Sequence, residues 1–493
     1  MAEPVERPTD EPLNGWGRWK APEYLKRGSG SGNRRLAAGS AVLGLVVAAG
    51  AVLAAGPWDS GQRKAERDRA VALQRSGGAH HEGNTPDGPE PAPSAPAVLS
   101  ALGVTDGLTP AGASGLRTAL DPLLDTPALG SVRTAVVVDA ATGKQLYARG
   151  ATTPMTPAST VKIATTAAAL SALGPDYRIA TTVELSPDSR TLTLVGGGDP
   201  TLDKAALRSL AADTARSLRD GGTGPVRLMY DTSRYSGPAR HPIGPNENIA
   251  PMSALMVDEG RLDGSDRGPA PRSEDPAGDA ARSFADLLGD AGVATRSAAA
   301  SGKAVEGSRT VATHRSKPLS ALVERALTNS DNDIAEALAR QTALKAGEPA
   351  SFAGGRRAST AELKRLGMPL AGARLADGSG LDRADKVSAG LLAGLLALAA
   401  GPDHPELRPV LTGLPVAGFS GTLGDRYTAT SPATGLIRAK TGTLTGVNSL
   451  AGTAVDAQGR LLAFAFLASG TTSPAEAEAS LDTLATTLTK GTG

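Results

Sequence analysis

The stretch Pro157-Ala158-Ser159-Thr160-Val161-Lys162, followed by the alanine-rich segment 163–170, decides the fold around which the chain is organised. A proline in the first turn, with Thr156 as N-cap and helix-forming residues behind it, predicts a helix start. Residues three apart lie on one helix face, so the Lys162 amine can reach the Ser159 hydroxyl. Because burial can lower a lysine's pKa enough to accept that proton, the pair is a candidate nucleophile and base.

Two further short motifs follow in order along the chain. Ser330-Asp331-Asn332 lies in a loop between the predicted helices 318–327 and 333–346. Lys440-Thr441-Gly442 lies on the predicted strand 435–442. Each motif alone is typical of a turn, a surface helix or an exposed edge, but their order and their structural settings together indicate one catalytic site.

Composition excludes several classes of function. The chain has 493 residues, enough for two or more domains, and its 51 basic and 50 acidic residues give a net charge of +1. This balance argues against nucleic acid as a partner. The absence of cysteine excludes disulfides and thiolate chemistry, and none of the 5 histidines lies in a metal-binding spacing. We therefore expect no metal site.

The N-terminal part predicts a membrane-anchored protein. Residues 1–33 are polar and are expected to form a disordered cytoplasmic arm. Residues 34–56 are predicted to be a transmembrane helix, because 36–56 carry no charge over about the 20 residues that cross a bilayer. Residues 57–97 read as a Pro/Gly-rich tether. Secretion after cleavage of a signal peptide is the alternative.

The globular part mixes helical and strand patterns, which predicts an α/β (α+β) fold. The predicted helices are 114–124, 157–173, 203–219, 275–288, 318–327, 333–346 and 474–488. The predicted strands are 133–138, 145–149, 179–185, 191–195, 226–230, 435–442, 449–455 and 461–468. The last three strands are expected to be antiparallel, with the final helix packed on them.

The three motifs resemble those of the penicillin-recognising serine hydrolases, which share the transpeptidase and β-lactamase fold. The wide separation of Ser159 and Ser330 along the chain resembles that in the class C low-molecular-mass penicillin-binding proteins. In those proteins a second domain is inserted into the catalytic domain. Further local matches are Leu194-Val-Gly-Gly-Gly-Asp-Pro-Thr-Leu202, Pro251-Met-Ser-Ala-Leu255 with Asp258-Glu259, Asp377-Gly-Ser-Gly-Leu381 and Gly421-Thr-Leu423. The resemblance covers residues 100–490.

The resemblance implies an antiparallel sheet flanked by helices and split by a second domain. We expect the catalytic domain at 98–195 and 310–493, and the inserted domain at 196–309. Because the insertion has limited room, we expect it to lack a further domain nested within it.

By the same resemblance, Ser159 is the acylated nucleophile and Lys162 its proton acceptor. Ser330 and Asn332 relay the proton to the leaving group and orient the substrate amide. The backbone N–H groups of Ser159 and Thr443 form the oxyanion hole.

The strand motif is expected to bind substrate. The resemblance implies that Lys440 supplies positive charge and Thr441 a hydroxyl for a terminal carboxylate. Glycine is expected at position 442 independently of the resemblance, because a side chain there would crowd a peptide lying along the strand.

The implied function is that of a serine D-Ala-D-Ala carboxypeptidase or endopeptidase. Peptidoglycan stem peptides are the expected substrates, β-lactams the expected covalent inhibitors, and no cofactor is required. Because this substrate is made outside the cytoplasm, the catalytic domain is expected to be extracytoplasmic.

Two alternative functions follow from the same fold. A β-lactamase of class A would carry Glu-x-x-x-Asn shortly after the second motif, and Glu336, Glu348 and Glu362 all lack that asparagine. A non-catalytic β-lactam sensor or cell-wall-binding scaffold would not need the intact motif residues.

Overall fold

The computed structural model describes residues 110–428 and 430–490, with side chains from residue 115 onward. The predicted arm, the 34–56 anchor and the 57–97 tether lie outside these residues. Among the helices of the described ranges, none is both long enough and apolar enough to cross a bilayer.

The described residues form ten α-helices and two five-stranded sheets. The helices are α1 (Pro110–Leu124), α2 (Lys162–Leu173), α3 (Lys204–Asp220), α4 (Pro276–Asp290), α5 (Leu319–Thr328), α6 (Asn332–Lys345), α7 (Phe352–Arg365), α8 (Ala389–Ala400), α9 (Arg408–Thr412) and α10 (Pro474–Thr489). The strands of the first sheet are β1 (Val132–Asp139), β2 (Gln145–Arg149), β8 (Ile437–Leu444), β9 (Val447–Val455) and β10 (Leu461–Ser469). Those of the second are β3 (Ala180–Leu185), β4 (Thr191–Val195), β5 (Arg227–Asp231), β6 (Ala300–Ser301) and β7 (Arg309–Arg315).

The first sheet joins the beginning of the globular part to its end. Its order is β2-β1-β10-β9-β8, and all neighbouring strands are antiparallel. Strand β1 pairs with β10 from Val132 opposite Ser469 to Asp139 opposite Leu462. The predicted hairpin and the three predicted C-terminal strands are confirmed, with small shifts at their ends.

Helices cover both faces of the first sheet. Along β1, Val136 and Val138 point into the core that contains α8, whereas Ala135 and Val137 point into the core that contains α10. Because both faces are covered, β9 and β10 are buried at every position except their ends and lack the alternating exposure of a half-exposed strand. The predicted helix after the last strand is confirmed as α10.

Helices α7, α8 and α9 were not predicted from the sequence. Helix α8 is apolar on every side because it is buried between the sheet and α2, so it shows no amphipathic period. Helix α7 contains Gly354-Gly355, which disfavours a helix by propensity. A Cβ at Gly354 would lie 1.8 Å from Pro349 O, and one at Gly355 would lie 3.2 Å from Ala339, so close packing explains both glycines.

The second sheet has its own hydrophobic core. Its order is β6-β5-β4-β3-β7, with β4 and β5 parallel and β3 antiparallel to both of its neighbours. Helices α3 and α4 contribute Leu207, Leu210, Phe284 and Leu288 to a core that also receives Val183 from β3. Strand β7 was not predicted from the sequence.

The strands that form the second sheet indicate where the inserted domain begins and ends. Strands β3, β4 and most of β7 lie outside the 196–309 segment that the sequence assigned to the insertion. Since they share one sheet and one core with β5, the sheet favours an insertion from about residue 180 to 315. The division into domains stays a prediction. Within the described residues, 232–275 contains only one regular element, the 3-10 turn Asp258–Gly260.

Candidate active site

Ser159 lies in a tight turn directly before α2. The 3-10 turn spans Ala158–Val161, and the α-helix begins at Lys162. The prediction of Thr156 as N-cap is wrong: Pro157 occupies the cap of the turn without a side-chain bond, and Thr156 Oγ1 donates to Arg383 O at 3.3 Å. The tighter turn places Ser159 and Lys162 on one side of the chain, as a helix would.

The Lys162 amine has three polar neighbours. Nζ lies 3.0 Å from Ser159 Oγ, 2.7 Å from Asn332 Oδ1 and 2.6 Å from Ser379 O. A neutral amine has two N–H donors and one lone pair. It can therefore donate to Asn332 and Ser379 while its lone pair accepts the Ser159 proton.

Burial makes Lys162 a usable base. The side chain is fully buried, and this burial lowers the pKa of Lys162 to about 8, although the nearby carboxylates of Asp377, Asp331 and Glu336 act in the opposite direction. With such a pKa, about a tenth of the amine is neutral at pH 7. An exposed lysine would be almost entirely protonated there.

This pKa predicts the pH dependence of acylation. Only the neutral amine accepts a proton, so the second-order rate constant for acylation by a penicillin should rise with pH and level off above about 8. Stopped-flow measurement from about pH 5.5 to 9.5 would give the profile. A rate constant that is level from about pH 6 upward would contradict Lys162 as the base.

The second motif begins α6. Asp331 caps the helix by accepting from Ile334 N at 3.0 Å, and Ser330 has a positive φ of 57°. Asn332 Nδ2 donates to Asn248 O at 3.0 Å, which turns its Oδ1 toward Lys162. Within the described residues, the Ser330 hydroxyl has no hydrogen bond, so this structure connects Asn332 but not Ser330 to the amine.

Buried ion pairs support this loop. Glu259 is fully buried, accepts from Arg261 at 2.8 Å and also pairs with Arg325, which lies 3.9 Å from Asp331. Burial and the charge of Asp331 act to raise the pKa of Glu259, and its partners Arg325 and Arg261 oppose them. The segment of the predicted insertion is thereby tied to the second motif.

The third motif occupies β8 beside the nucleophile. Lys440 is fully buried, its Nζ donates to Thr441 O at 2.8 Å, and burial together with the charges of Lys162 and Arg426 lowers its pKa. Thr441 Oγ1 donates to Thr422 Oγ1 at 2.8 Å. The Thr443 hydroxyl donates to Glu478 at 2.9 Å, so its backbone is the part left to face the cleft.

Strand β8 has a free backbone edge at the site. The segment 415–417 pairs with its outer edge, through Ala439 N to Pro415 O at 2.9 Å and Ala417 N to Ile437 O at 3.0 Å. Because strand hydrogen bonding alternates, Thr441 and Thr443 face the same edge beyond that segment. A peptide substrate can pair there as an added strand.

Gly442 is required by the nucleophile turn. A Cβ at this position would lie 2.3 Å from Ser449 Oγ, 2.7 Å from Pro157 O and 3.1 Å from Ser159 N. This glycine was expected to leave space for substrate, but the atoms that a side chain would meet belong to β9 and to the nucleophile turn, which β8 approaches closely. Ser449 Oγ reinforces the approach by donating to Pro157 O at 2.7 Å.

Substituting Gly442 should therefore displace the nucleophile. We expect Gly442→Ala to lower the penicillin acylation rate by about 100-fold, because a shift of about 1 Å at a reacting group costs that much. Gly424→Ala is the control, since a Cβ there meets nothing closer than 3.4 Å. Equal rates in the two variants would contradict the close-approach explanation.

The structure brings Ser159, Lys162 and Asn332 into direct contact and places Lys440–Thr443 beside them. Three further groups contact the motif residues and were not predicted: the carbonyl oxygens of Ser379 and Asn248 and the hydroxyl of Thr422. Ser379 and Thr422 lie in stretches that carried the resemblance, Asp377-Gly-Ser-Gly-Leu381 and Gly421-Thr-Leu423, but no role was predicted for either residue.

The chain is similar to known proteins over most of its length. Residues 116–271 and 262–490 match the D-Ala-D-Ala carboxypeptidase 3 (S13) family. Carboxypeptidase DacB of Mycolicibacterium smegmatis is 38% identical, over 88% of this chain and 92% of that protein. A D-alanyl-D-alanine carboxypeptidase of an Actinomadura species is 31% identical, over 73% of this chain and 82% of that protein.

A solved structure shares the fold. The crystal structure of penicillin binding protein 4 from Haemophilus influenzae superposes with a TM-score of 0.62 at 24% identity. The match covers 75% of this chain and 98% of that one.

Proposed function

The chain belongs to the D-Ala-D-Ala carboxypeptidase 3 (S13) family, and we propose that its serine site removes the terminal D-alanine from peptidoglycan stem peptides. The contact that carries the proposal is the buried Lys162 amine, 3.0 Å from Ser159 Oγ and held by two further acceptors. This arrangement provides a nucleophile with its base in a buried site.

Acylation starts when Ser159 Oγ attacks the carbonyl carbon of the penultimate D-alanine and its proton passes to Lys162. The N–H groups of Ser159 and Thr443 stabilise the oxyanion of the tetrahedral intermediate. The C–N bond then breaks, and the leaving D-alanine nitrogen takes the proton from Lys162, directly or through the Ser330 hydroxyl. Asn332 holds the amine and can orient the substrate amide.

Deacylation reverses the proton path. A water molecule attacks the ester carbonyl while Lys162 accepts its proton, and the proton returns to Ser159 Oγ as the C–O bond breaks. The products are the shortened peptide and the free enzyme. A β-lactam acylates Ser159 in the same way, but its leaving nitrogen stays attached to the acyl group and can block the incoming water.

Recognition of the terminal carboxylate falls to β8. Lys440 has a buried amine that donates to Thr441 O. Thr441 has a hydroxyl that can turn from Thr422 toward a bound carboxylate. The free edge of β8 pairs with the backbone of the substrate. Carboxypeptidase and endopeptidase cleavage share these contacts and differ in the group on the leaving side.

The β-lactamase alternative gains no support from Glu336. Its carboxylate accepts from Gly378 N at 2.7 Å and Ser379 N at 3.0 Å and pairs with Arg340 at 3.0 Å. A carboxylate so engaged is not free to activate a deacylating water.

The test is incubation of the chain with a defined pentapeptide muropeptide, followed by mass spectrometry. We expect the loss of one D-alanine and none from a tetrapeptide stem. Product from cross-linked dimers would add endopeptidase activity. No product from a folded protein that also fails to bind penicillin would favour the scaffold alternative.

The membrane arrangement is part of the same proposal. A single-pass anchor at 34–56, with the tether at 57–97, would place the catalytic domain on the extracytoplasmic side, where stem peptides are found. Protease treatment of intact spheroplasts tests this: digestion of the catalytic domain from outside supports it, and full protection opposes it.

A further inference from the structure

A buried histidine outside the catalytic motifs lies in the segment between β5 and α4. The His241 ring is 3% exposed and packs edge-on against Phe352, with 5.2 Å between ring centroids. None of the steps above uses it. Its two nitrogens nevertheless have defined partners.

Those partners fix the tautomer of the ring. Ile243 N donates to Nδ1 at 3.1 Å, so Nδ1 presents its lone pair. Nε2 lies 2.7 Å from Asp377 Oδ2 and must therefore carry the proton that it donates. A neutral imidazole satisfies both contacts.

Asp377 organises the turn that contains Ser379. Its Oδ1 accepts from Ser379 N at 3.0 Å and Gly380 N at 2.6 Å, and its Oδ2 accepts from Asp382 N at 2.8 Å. Burial alone would raise the pKa of this carboxyl, but the hydrogen bonds, with that from His241 first among them, hold the pKa well below its usual range. Asp377 therefore stays ionised.

The turn presents a carbonyl to the catalytic amine. Ser379 O lies 2.6 Å from Lys162 Nζ, the shortest of the three contacts of that amine. Asp377 also carries the nearby charge that most strongly opposes the lowering of the Lys162 pKa by burial. A change at Asp377 thus reaches Lys162 both through the turn and through its charge.

The same residues do not suit a metal. His241, Glu336 and Asp377 offer atoms within 4.8 Å of one another. Both carboxylates, however, already accept from backbone N–H groups, and Glu336 also pairs with Arg340. The cluster is a hydrogen-bonded network with its acceptors in use.

We propose that His241 is a positioning residue for the reaction: through Asp377 and the Ser379 carbonyl, it holds the Lys162 amine in place and helps to set its basicity. This inference rests on the proposed acyl-enzyme function. It gives the segment between β5 and α4 a part in the chemistry, although no hydrogen bond joins that histidine to the nucleophile.

Several titratable or charged groups surround the two ends of this network. Those facing Lys162 are Asp377, Asp331, Glu336, Asp385 and Lys440. Those around His241 are Asp377, Glu336, Arg240, Glu247, Arg272 and Glu274. Burial and the neighbouring Asp377 raise the pKa of Asp385 to about 10, so Asp385 keeps its proton over the working range.

The test compares two amides at position 241. In His241→Gln, the amide nitrogen replaces Nε2 and keeps the donor to Asp377. In His241→Asn, the shorter side chain offers an acceptor to Ile243 but leaves Asp377 without its donor. His314→Gln is the control, because this histidine lies on β7 and touches none of these residues.

We expect His241→Asn to lower the level that the penicillin acylation rate constant reaches at high pH by about tenfold or more, the typical effect of losing a donor to a charged group. Without that donor the pKa of Asp377 rises. As Asp377 gains a proton, it loses the negative charge that raises the pKa of Lys162. The rise of the acylation rate constant with pH then occurs at lower pH. His241→Gln should stay near wild type in both respects.

If His241 had a purely structural role, the substitution would lower the folded fraction of the protein but would not change the pH at which the acylation rate constant rises. The inference is overturned if a folded His241→Asn variant matches His241→Gln and the wild type in its acylation rate constant and in the pH dependence of that constant.

If His241→Asn does not fold, 15N-histidine NMR of the wild type provides the test. The Nε2–H signal must be protected and must shift when penicillin acylates Ser159, and an unchanged signal overturns the inference. If the wild type is not acylated at all, the proposed function fails as well.

Discussion

Ser159→Ala should abolish both D-alanine release from a pentapeptide muropeptide and labelling by a fluorescent penicillin. We expect a loss of at least about 10⁴-fold, because removing the nucleophile leaves only binding and the oxyanion donors. The fold should persist, since within the part of the chain that the structure describes this side chain makes a single hydrogen bond, to Lys162. Mass spectrometry of products and gel fluorescence provide the two readouts.

Ser171→Ala is the matched control for this loss. Ser171 lies near the end of α2, the helix that follows the Ser159 turn, and bonds there to Glu362 and Arg365, away from the motif residues. It should release D-alanine and bind penicillin like the wild type. Full labelling of Ser159→Ala would show that another residue is acylated.

Lys162→Met should lower the acylation rate constant by about 10³-fold or more. Methionine keeps the length of the buried side chain but has no lone pair to accept the Ser159 proton. It also leaves Asn332 Oδ1 and Ser379 O without their donor. The remaining slow acylation should no longer rise with pH through about 8.

A second substitution separates charge from basicity. Lys162→Arg keeps a positive charge, but a guanidinium does not lose its proton in proteins and cannot act as base. It should therefore be as slow as Lys162→Met. Lys345→Met, near the far end of α6, is the control. Rapid acylation by the arginine variant would mean that Lys162 acts through its charge alone.

Local sequence patterns predicted the elements that carry local signals. The β1–β2 and β3–β4 hairpins have apolar strands separated by turn residues, and α3 begins after Asp203, whose side chain caps it. Helix α8 has no such signal, because burial on all sides removes its periodicity. The helix at Gly354-Gly355 is decided by close packing against Pro349 and Ala339, which no local pattern encodes.

The candidate site likewise contains residues that sequence motifs predicted and residues that only the fold brings into place. Ser159, Lys162 and Asn332 were predicted because motif order implied that three distant segments meet. The contacts of Ser379 and Asn248 are made by backbone carbonyls, which every residue possesses, so the sequence could not single them out. His241 reaches Lys162 only through Asp377 and a turn, and only the fold brings residues 136 positions apart together.

The most direct test of the account is to map the residue that penicillin acylates. The wild-type chain would be trapped with penicillin, digested and analysed by tandem mass spectrometry. We predict a single penicilloyl adduct on Ser159 Oγ, formed faster as pH rises toward about 8. An adduct on another serine, or D-alanine release by a chain that forms no adduct at Ser159, would contradict it.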